Sequence, residues 1–396
     1  MPLRSAPARS LPLRSRLRAT CAVAVCVTAL SQVPMSAAAT PAPRDTDLQA
    51  QIEQLVHAPG GPPGVIAVLR RDGNTRVVKA GVADLATGRR PSPDDHMRIA
   101  STAKAFSGAV ALALVDRHAL RLNETLGQRL PRMPRAWHQV TLRQLLNHTS
   151  GLPDFTDDAE FQSIVAADPH HHFDSRRLLD FVADQPLNFR PGSEYRYSNS
   201  DNIAIALMAE AATGTPYEQL LRSLVYRPLD LRNTSLPQGY RIPEPYLHGY
   251  DVTPPPPEDV SELLGVSGSW ASGGIISTPA DMTRFIRGYA GGALYGKNVV
   301  REQRRWIAGA SEPAGPGHNS VGLALFRYAT RCGVVLGHTG NFPGYTQLIA
   351  ATPDGRRSLT FSVTTQINEP IDPDLLGRLR AVQENFVCAL LSRPGR

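Results

Sequence analysis

Hydrophobic positions repeat with helical spacing at both ends of the chain. Leu48, Ile52, Leu55 and Val56 share one face of a helix expected over residues 45–57, with Asp45 or Asp47 placed to cap it. Leu375, Leu379, Val382, Phe386 and Leu390 do the same behind Asp372-Pro373. Strand patterns lie inside these two helices. An apolar run at 65–69, the turn Asp72-Gly73-Asn74 and a return over 75–83 predict a hairpin. Three more strand patterns fall at 334–336, 347–350 and 358–363, with Asp354-Gly355 turning between the last two. The stretch between is helical. Residues 102–118 are rich in Ala and Val with few polar positions, which predicts a buried central helix. Leu142, Leu145 and Leu146 share a face, residues 200–213 form another helix, and Ser277-Thr-Pro-Ala-Asp281 opens one with Pro279 in its first turn. Pro254-Pro-Pro-Pro257 predicts a stiff surface loop.

Strands at both ends with helices between them predict an α+β fold. The economical arrangement is one antiparallel sheet assembled from both termini and covered by the first and last helices. The expected sheet domain is discontinuous, over residues 45–95 and 273–392. A mostly helical domain over residues 105–270 is inserted in it, and a cleft between the two is the expected ligand site.

Charge first complicates this picture, then simplifies it. The net charge of +7 invites a polyanion partner, but residues 1–39 hold Arg4, Arg9, Arg14, Arg16 and Arg18 and no acid. Without those five arginines the charge is +2, which leaves no electrostatic ground for nucleic-acid binding. The same segment predicts a signal peptide: a basic stretch, an apolar run at 19–30 and small residues at 36–39 for cleavage. The run is short for a bilayer span, and neither Cys21 nor Cys26 follows the Gly or Ala of a lipoprotein signal. The expectation is a secreted, extracellular monomer with no membrane attachment after signal removal. Cys332 and Cys388 then remain as a candidate disulfide, with two free thiols as the alternative.

Candidate chemistry begins with lysine, which occurs three times in the chain. Lys104 follows Ser101 by three residues. On a helix, positions i and i+3 share a face, so hydroxyl and amine can meet, and an amine of lowered pKa can take the serine proton. Tyr197-Ser198-Asn199 precedes the helix at 200. A phenol beside an ammonium can be held as phenolate and serve as base and then acid, while Asn199 can offer an amide N–H to a substrate carbonyl. Gly337-His338-Thr339-Gly340 ends a strand. Gly340 would let a substrate backbone approach, His338 and Thr339 would give a polar edge, and the N–H groups of Asn341 and Ser101 would form an oxyanion hole. The chain has no Gly-x-Ser-x-Gly, which argues against an α/β-hydrolase. His170-His171-His172 are consecutive and cannot all face one ion on a regular element, so no metal or other cofactor is expected.

Taken together and in this order, the three motifs resemble those of the penicillin-binding serine hydrolases. The likeness is greatest to secreted actinomycete D-alanyl-D-alanine carboxypeptidases and class C β-lactamases, and runs from about residue 48 to 390. The runs Leu145-Leu-Asn-His-Thr-Ser-Gly-Leu-Pro153 and Gly268-Ser-Trp-Ala-Ser-Gly-Gly-Ile-Ile-Ser277 also resemble segments of that family, the second as its run into the sheet. The resemblance implies a β-lactamase-like fold and a Cys332–Cys388 disulfide. It implies Ser101 as acylated nucleophile, Lys104 as its amine, Tyr197 as proton shuttle and Asn199 as binder of the substrate amide. His338, Thr339 and Gly340 would edge the cleft, and Trp270 and Phe161 would wall it. The implied activity is a D-alanyl-D-alanine carboxypeptidase acylated by penicillins, with small molecules or peptidoglycan peptides as substrates. The alternatives are a class C-like β-lactamase, an esterase or amidase, and a sensor that acylates without turnover. His338, where class C enzymes usually carry the lysine of Lys-Thr-Gly, leans toward the carboxypeptidases. Two positions depart from their pattern. Phe326 replaces an arginine that binds the terminal carboxylate, with Arg327 beside it facing the other way, and Asn341 replaces a threonine. Both keep another acyl donor in view.

Overall fold

The computed structural model describes residues 45–392, so the expected signal peptide lies outside the described residues. Eight strands form one sheet. Two come from the front of the chain, β1 (Gly64–Arg71) and β2 (Asn74–Gly81). Six come from its end: β3 (Ile307–Ala308), β4 (His318–Val321), β5 (Phe326–Thr330), β6 (Gly333–Phe342), β7 (Tyr345–Ala351) and β8 (Ser358–Val363). Their order is β2-β1-β8-β7-β6-β5-β4-β3, and every neighbouring pair is antiparallel. The termini therefore meet inside the sheet, with Val65 opposite Val363 and Leu69 opposite Leu359. Asp72 (φ +51°) and Gly73 (φ +88°) make the two-residue turn of the front hairpin, a left-handed pair that matches strand twist.

Of five longer helices, α1 (Asp45–Val56), α4 (Pro279–Gly291) and α5 (Pro373–Leu391) pack on this sheet, while α2 (Ala103–Asp116) and α3 (Asn199–Thr213) pack against each other beyond it. The Asp372 carboxylate accepts from the Leu375 N–H and caps α5, and Pro373 needs no partner at its first position. Leu48, Ile52 and Leu55 of α1 join Leu379, Phe386 and Leu390 of α5 over Val65, Ala67 and Phe361 on one face of the sheet. The other face carries Ile66, Val68 and Ile349 into a second core, continuous with α2, α3 and α4. Every residue of α2 from Ala103 to Leu114 is buried, as a helix apolar on all sides must be, and Lys104 is the only charged one among them.

Periodicity did not reveal β3, β4 or β5. The second of these reads His318-Asn319-Ser320-Val321 and is placed by pairing with β5, Val321 opposite Phe326, rather than by an apolar face. The run 268–277 also ends differently from its expected entry into the main sheet. Ile276–Ser277 pairs with Met97–Arg98 in a separate two-stranded ribbon, and the Ile99 N–H donates to Ile275 O at 3.2 Å. That ribbon anchors the chain just before Ser101. Cys332, in the β5–β6 turn, is bonded to Cys388 of α5 across 56 residues, so neither thiol is free. Closing a loop of that size stabilises the fold by about 4 kcal/mol in the chain-entropy account.

Candidate active site

Backbone strain marks the start of α2. Ala100 is buried at φ +52° and immediately precedes Ser101 in a 3-10 turn, Ala100–Thr102, that runs into the helix. The turn is pressed onto β6. A Cβ on Gly340 would lie 2.6 Å from Ile99 O, 3.1 Å from Ala100 Cβ and 3.2 Å from Thr102 N. Gly340 therefore makes room for the protein's own Ala100–Thr102 turn, and not for a substrate backbone as its sequence context suggested.

One helical turn on, the Lys104 Nζ donates to Ser101 Oγ at 3.0 Å, Asn199 Oδ1 at 2.7 Å and Ser272 O at 2.8 Å. Burial pushes its pKa down to about 7, against the opposing pull of the Asp154, Glu312 and Asp201 carboxylates. Asn199 opens α3. Its Nδ2 donates to Asp154 Oδ2 at 2.9 Å and to Thr156 Oγ1 at 3.3 Å, and its backbone N–H donates to Asp154 Oδ2 at 2.7 Å. A carboxylate only accepts, so Asp154 fixes the amide with its oxygen toward Lys104. The Asn199 carboxamide is thus engaged at both ends by the protein.

Tyr197 lies over the same lysine, with Nζ 4.9 Å from its ring centroid. Its ring also rests against His148, centroids 4.6 Å apart, and His148 Nδ1 is 2.8 Å from Asp201 Oδ2. The Tyr197 hydroxyl is buried without a completed hydrogen bond. Burial raises its pKa well above the usual phenol range, and the Ser101 hydroxyl opposes this only in part. The expected phenolate is therefore corrected to a neutral phenol.

These groups meet at a cleft of about 650 Å³ lined by Ser101, Tyr197, Asn199, Asn341, Glu312 and Arg380, among others. Several expected members stay away from it. His338 is wholly buried, with Nδ1 2.6 Å from Thr339 O and its ring edge-on to Phe326. Burial takes its pKa down to about 3, so it is neutral and does not edge the cleft. Trp270 is buried beside Tyr217, its Nε1 donating to Glu218 Oε1 at 2.9 Å. Phe161 packs among Phe155, Phe173 and Phe181. Both aromatics are core residues rather than cleft walls. Thr339 Oγ1 donates to Pro313 O at 2.6 Å, and so holds a cleft-lining strap instead of facing substrate. The Asn341 side chain donates to Thr346 Oγ1 and Ile367 O, and accepts from Gln366 and Asn368. Phe326 is buried as well. Three contributors were missed. Asp154 and Glu312 sit on loops without periodicity, and Arg380 lies off the apolar stripe of α5, so only the assembled fold brings Glu312 and Arg380 to the cleft and Asp154 onto Asn199.

Residues 48–384 match the Beta-lactamase family. The chain belongs to that family. Its α+β architecture is the β-lactamase-like one. It is similar to Penicillin-binding protein 4* of Bacillus subtilis (strain 168), 24% identical over 296 residues, which cover 71% of this chain and 63% of that one. It is 29% identical over 238 residues to the D-alanyl-D-alanine-carboxypeptidase/endopeptidase AmpH of Escherichia coli (strain K12), covering 58% of each. The chain thus spans less than two thirds of either curated relative. Among solved structures, a D-stereospecific amidohydrolase from Streptomyces sp. superimposes with a TM-score of 0.74 at 27% identity, over 85% of this chain and 98% of that one. Among the described residues, no helix is long and apolar enough to cross a membrane.

Proposed function

We propose that the protein is a serine hydrolase that forms an acyl-enzyme at Ser101 and cleaves amide bonds of D-amino acid residues. D-alanyl-D-alanine carboxypeptidase activity is the first form of this reading. One observation carries it: the amine of Lys104, buried and so pushed down toward neutrality, lies 3.0 Å from a serine hydroxyl at a cleft. A neutral lysine has two N–H donors and one lone pair. Asn199 Oδ1 and Ser272 O can only accept, so they take the two donors and turn the lone pair toward Ser101. Ser101 Oγ attacks the carbonyl carbon as its proton passes to Lys104. The backbone N–H groups of Ser101 and of Asn341, beyond the last β5 pairing at Gly337, receive the oxyanion, at about 3 kcal/mol per donor. As the C–N bond breaks, the ammonium proton crosses the neutral Tyr197 hydroxyl to the leaving nitrogen. Water then cleaves the ester by the reverse path.

A D-amino acid amidase is the second form. It is favoured by Phe326, buried where a carboxylate-binding arginine would stand, and by the amidohydrolase named above. Export belongs to the same proposal, supported by the front segment and by a disulfide suited to an oxidising compartment. N-terminal sequencing of protein recovered from the medium, beginning near residue 40, tests it; an intact Met1 would refute it.

Incubation with an acyl-D-Ala-D-Ala peptide, a D-amino acid amide and a penicillin tests the activity. Product from a D-substrate and a penicillin adduct on Ser101 are expected. No product and no adduct from any of the three would overturn the proposal, and one stoichiometric burst without turnover would replace it with a sensor. The pH profile gives a second check. Lys104 acts when neutral, so kcat/KM for an N-acylated substrate, which brings no titrating amine of its own, should climb as pH rises to about 7 and then level off. The raised Tyr197 phenol predicts no falling limb below about pH 10. A climb continuing to pH 10 would mean an ordinary lysine.

A further inference from the structure

We propose that Glu312 anchors a cationic group of the substrate, so that the cleft selects D-aminoacyl substrates carrying a free, protonated amine. The inference rests on the hydrolase reading above and narrows its substrate class to the amidase form, because the acyl-D-Ala-D-Ala peptides of the carboxypeptidase form carry an uncharged amide where the free amine would sit. Glu312 lines the cleft with an accessible side chain, and makes no hydrogen bond or ion pair with any described residue. Its accessible carboxylate is thus open to a ligand cation, and a charge-assisted hydrogen bond to one is of the stronger kind.

The group is also held in place. Residues 310–313 form a strap tied at three points: Thr339 Oγ1 donates to Pro313 O at 2.6 Å, Ser311 Oγ lies 3.0 Å from Tyr328 Oη, and the Tyr195 hydroxyl donates to Ala310 O. Such a strap fixes the Glu312 backbone at the cleft wall, which limits where its carboxylate can reach. Two cations act on Glu312, Lys104 and Arg196, while Asp154 and Asp157 repel it. Lys104 spends its donors on Ser101, Asn199 and Ser272, and Arg196 is solvent-exposed, so neither neutralises Glu312 by contact. The other unmatched cleft cation, Arg380, donates to Gly315 O and Gly317 O further along the chain.

The position also couples binding to chemistry. Lys104 feels three carboxylates, Glu312, Asp154 and Asp201, each favouring its ammonium form. Buried around it are Tyr197, His148 and His338, all uncharged near neutral pH. A substrate ammonium seated on Glu312 cancels one of the three stabilising charges, so the amine is more readily neutral when the right substrate is bound.

The test compares a D-amino acid amide with its N-acetylated counterpart on the wild type and on Glu312→Gln and Glu312→Asp. Wild type should prefer the free amine. Glu312→Gln should reduce that preference about 10- to 100-fold, chiefly through KM, and Glu312→Asp should restore part of it. Without the Glu312 charge, Lys104 loses stabilisation as an ammonium, so the acid limb for the acetylated substrate should move to lower pH in Glu312→Gln. Equal losses on both substrates, or a wild type indifferent to acetylation, would overturn the anchor. Penicillin labelling of Ser101 separates the causes. A labelled protein with no amine preference refutes Glu312 alone, whereas an unlabelled, inactive wild type refutes the hydrolase and the anchor with it.

Discussion

Exchange of Lys104 for methionine is expected to lower kcat/KM by about 10⁴-fold, and adding Ser101→Ala is expected to cost almost nothing further. Nucleophile and base act as a unit, so losing either removes the same step. Methionine nearly preserves the side-chain volume in α2, where every neighbour is buried, but it removes all three hydrogen bonds. Asn199 Oδ1 and Ser272 O are then left without a donor. That costs about 1–3 kcal/mol for each, set against relief from burying an amine. The variant should therefore fold, as circular dichroism can check. Steady-state kinetics on a D-amino acid amide would read the loss. Retention of more than about a tenth of the activity would place the base elsewhere. Ser101→Ala should abolish the covalent penicillin adduct, and an adduct persisting on another residue would remove Ser101 from the mechanism.

The meeting of Ser101 with Lys104 was legible because short-range geometry fixes it. Ser101 and Lys104 need only a turn and a helix start to meet, and the apolar run behind them predicts that helix. Tyr197 and Asn199 precede a helix of the same kind, which packs against α2. Both terminal helices and the front hairpin were readable for the same reason, since an apolar stripe or a two-residue turn is a local property. The cleft walls were not local. On β6, successive side chains alternate faces, so His338 shares the side of Gly340, and Asn341 the side that lines the cleft. Which side was open depended on where the Ala100–Thr102 turn docked. Trp270 and Phe161 were expected at the surface of a cleft, yet their rings found apolar partners and a hydrogen bond in the core. Arg380 shows the converse: the α5 stripe predicts what that helix buries, while its polar side reaches the cleft only through docking beside the strap.

Alanine at Gly340 is expected to lower kcat by about 10²-fold in an otherwise folded protein. The added Cβ would sit 2.6 Å from Ile99 O, and that atom belongs to backbone rather than to a side chain that can swing away. Behind it, the Ile99 N–H is bonded to Ile275 O and the Thr102 N–H and hydroxyl are both bonded to Ile99 O. The turn can therefore move only as a body, carrying Ser101 with it. A shift on the order of 1 Å is enough to cost about 10²-fold through misplacement of the reacting atoms. Overpacking should also cost about 1–3 kcal/mol of stability. Penicillin adduct formation should slow in parallel with turnover, because the same hydroxyl limits both. Gly377→Ala provides the contrast: a Cβ there meets nothing within 4 Å on a helix, so rate should be unchanged and stability slightly improved. Equal effects of the two alanines would mean that β6 does not clamp the turn; a loss confined to Gly340→Ala would tie the strand glycine to the position of the nucleophile.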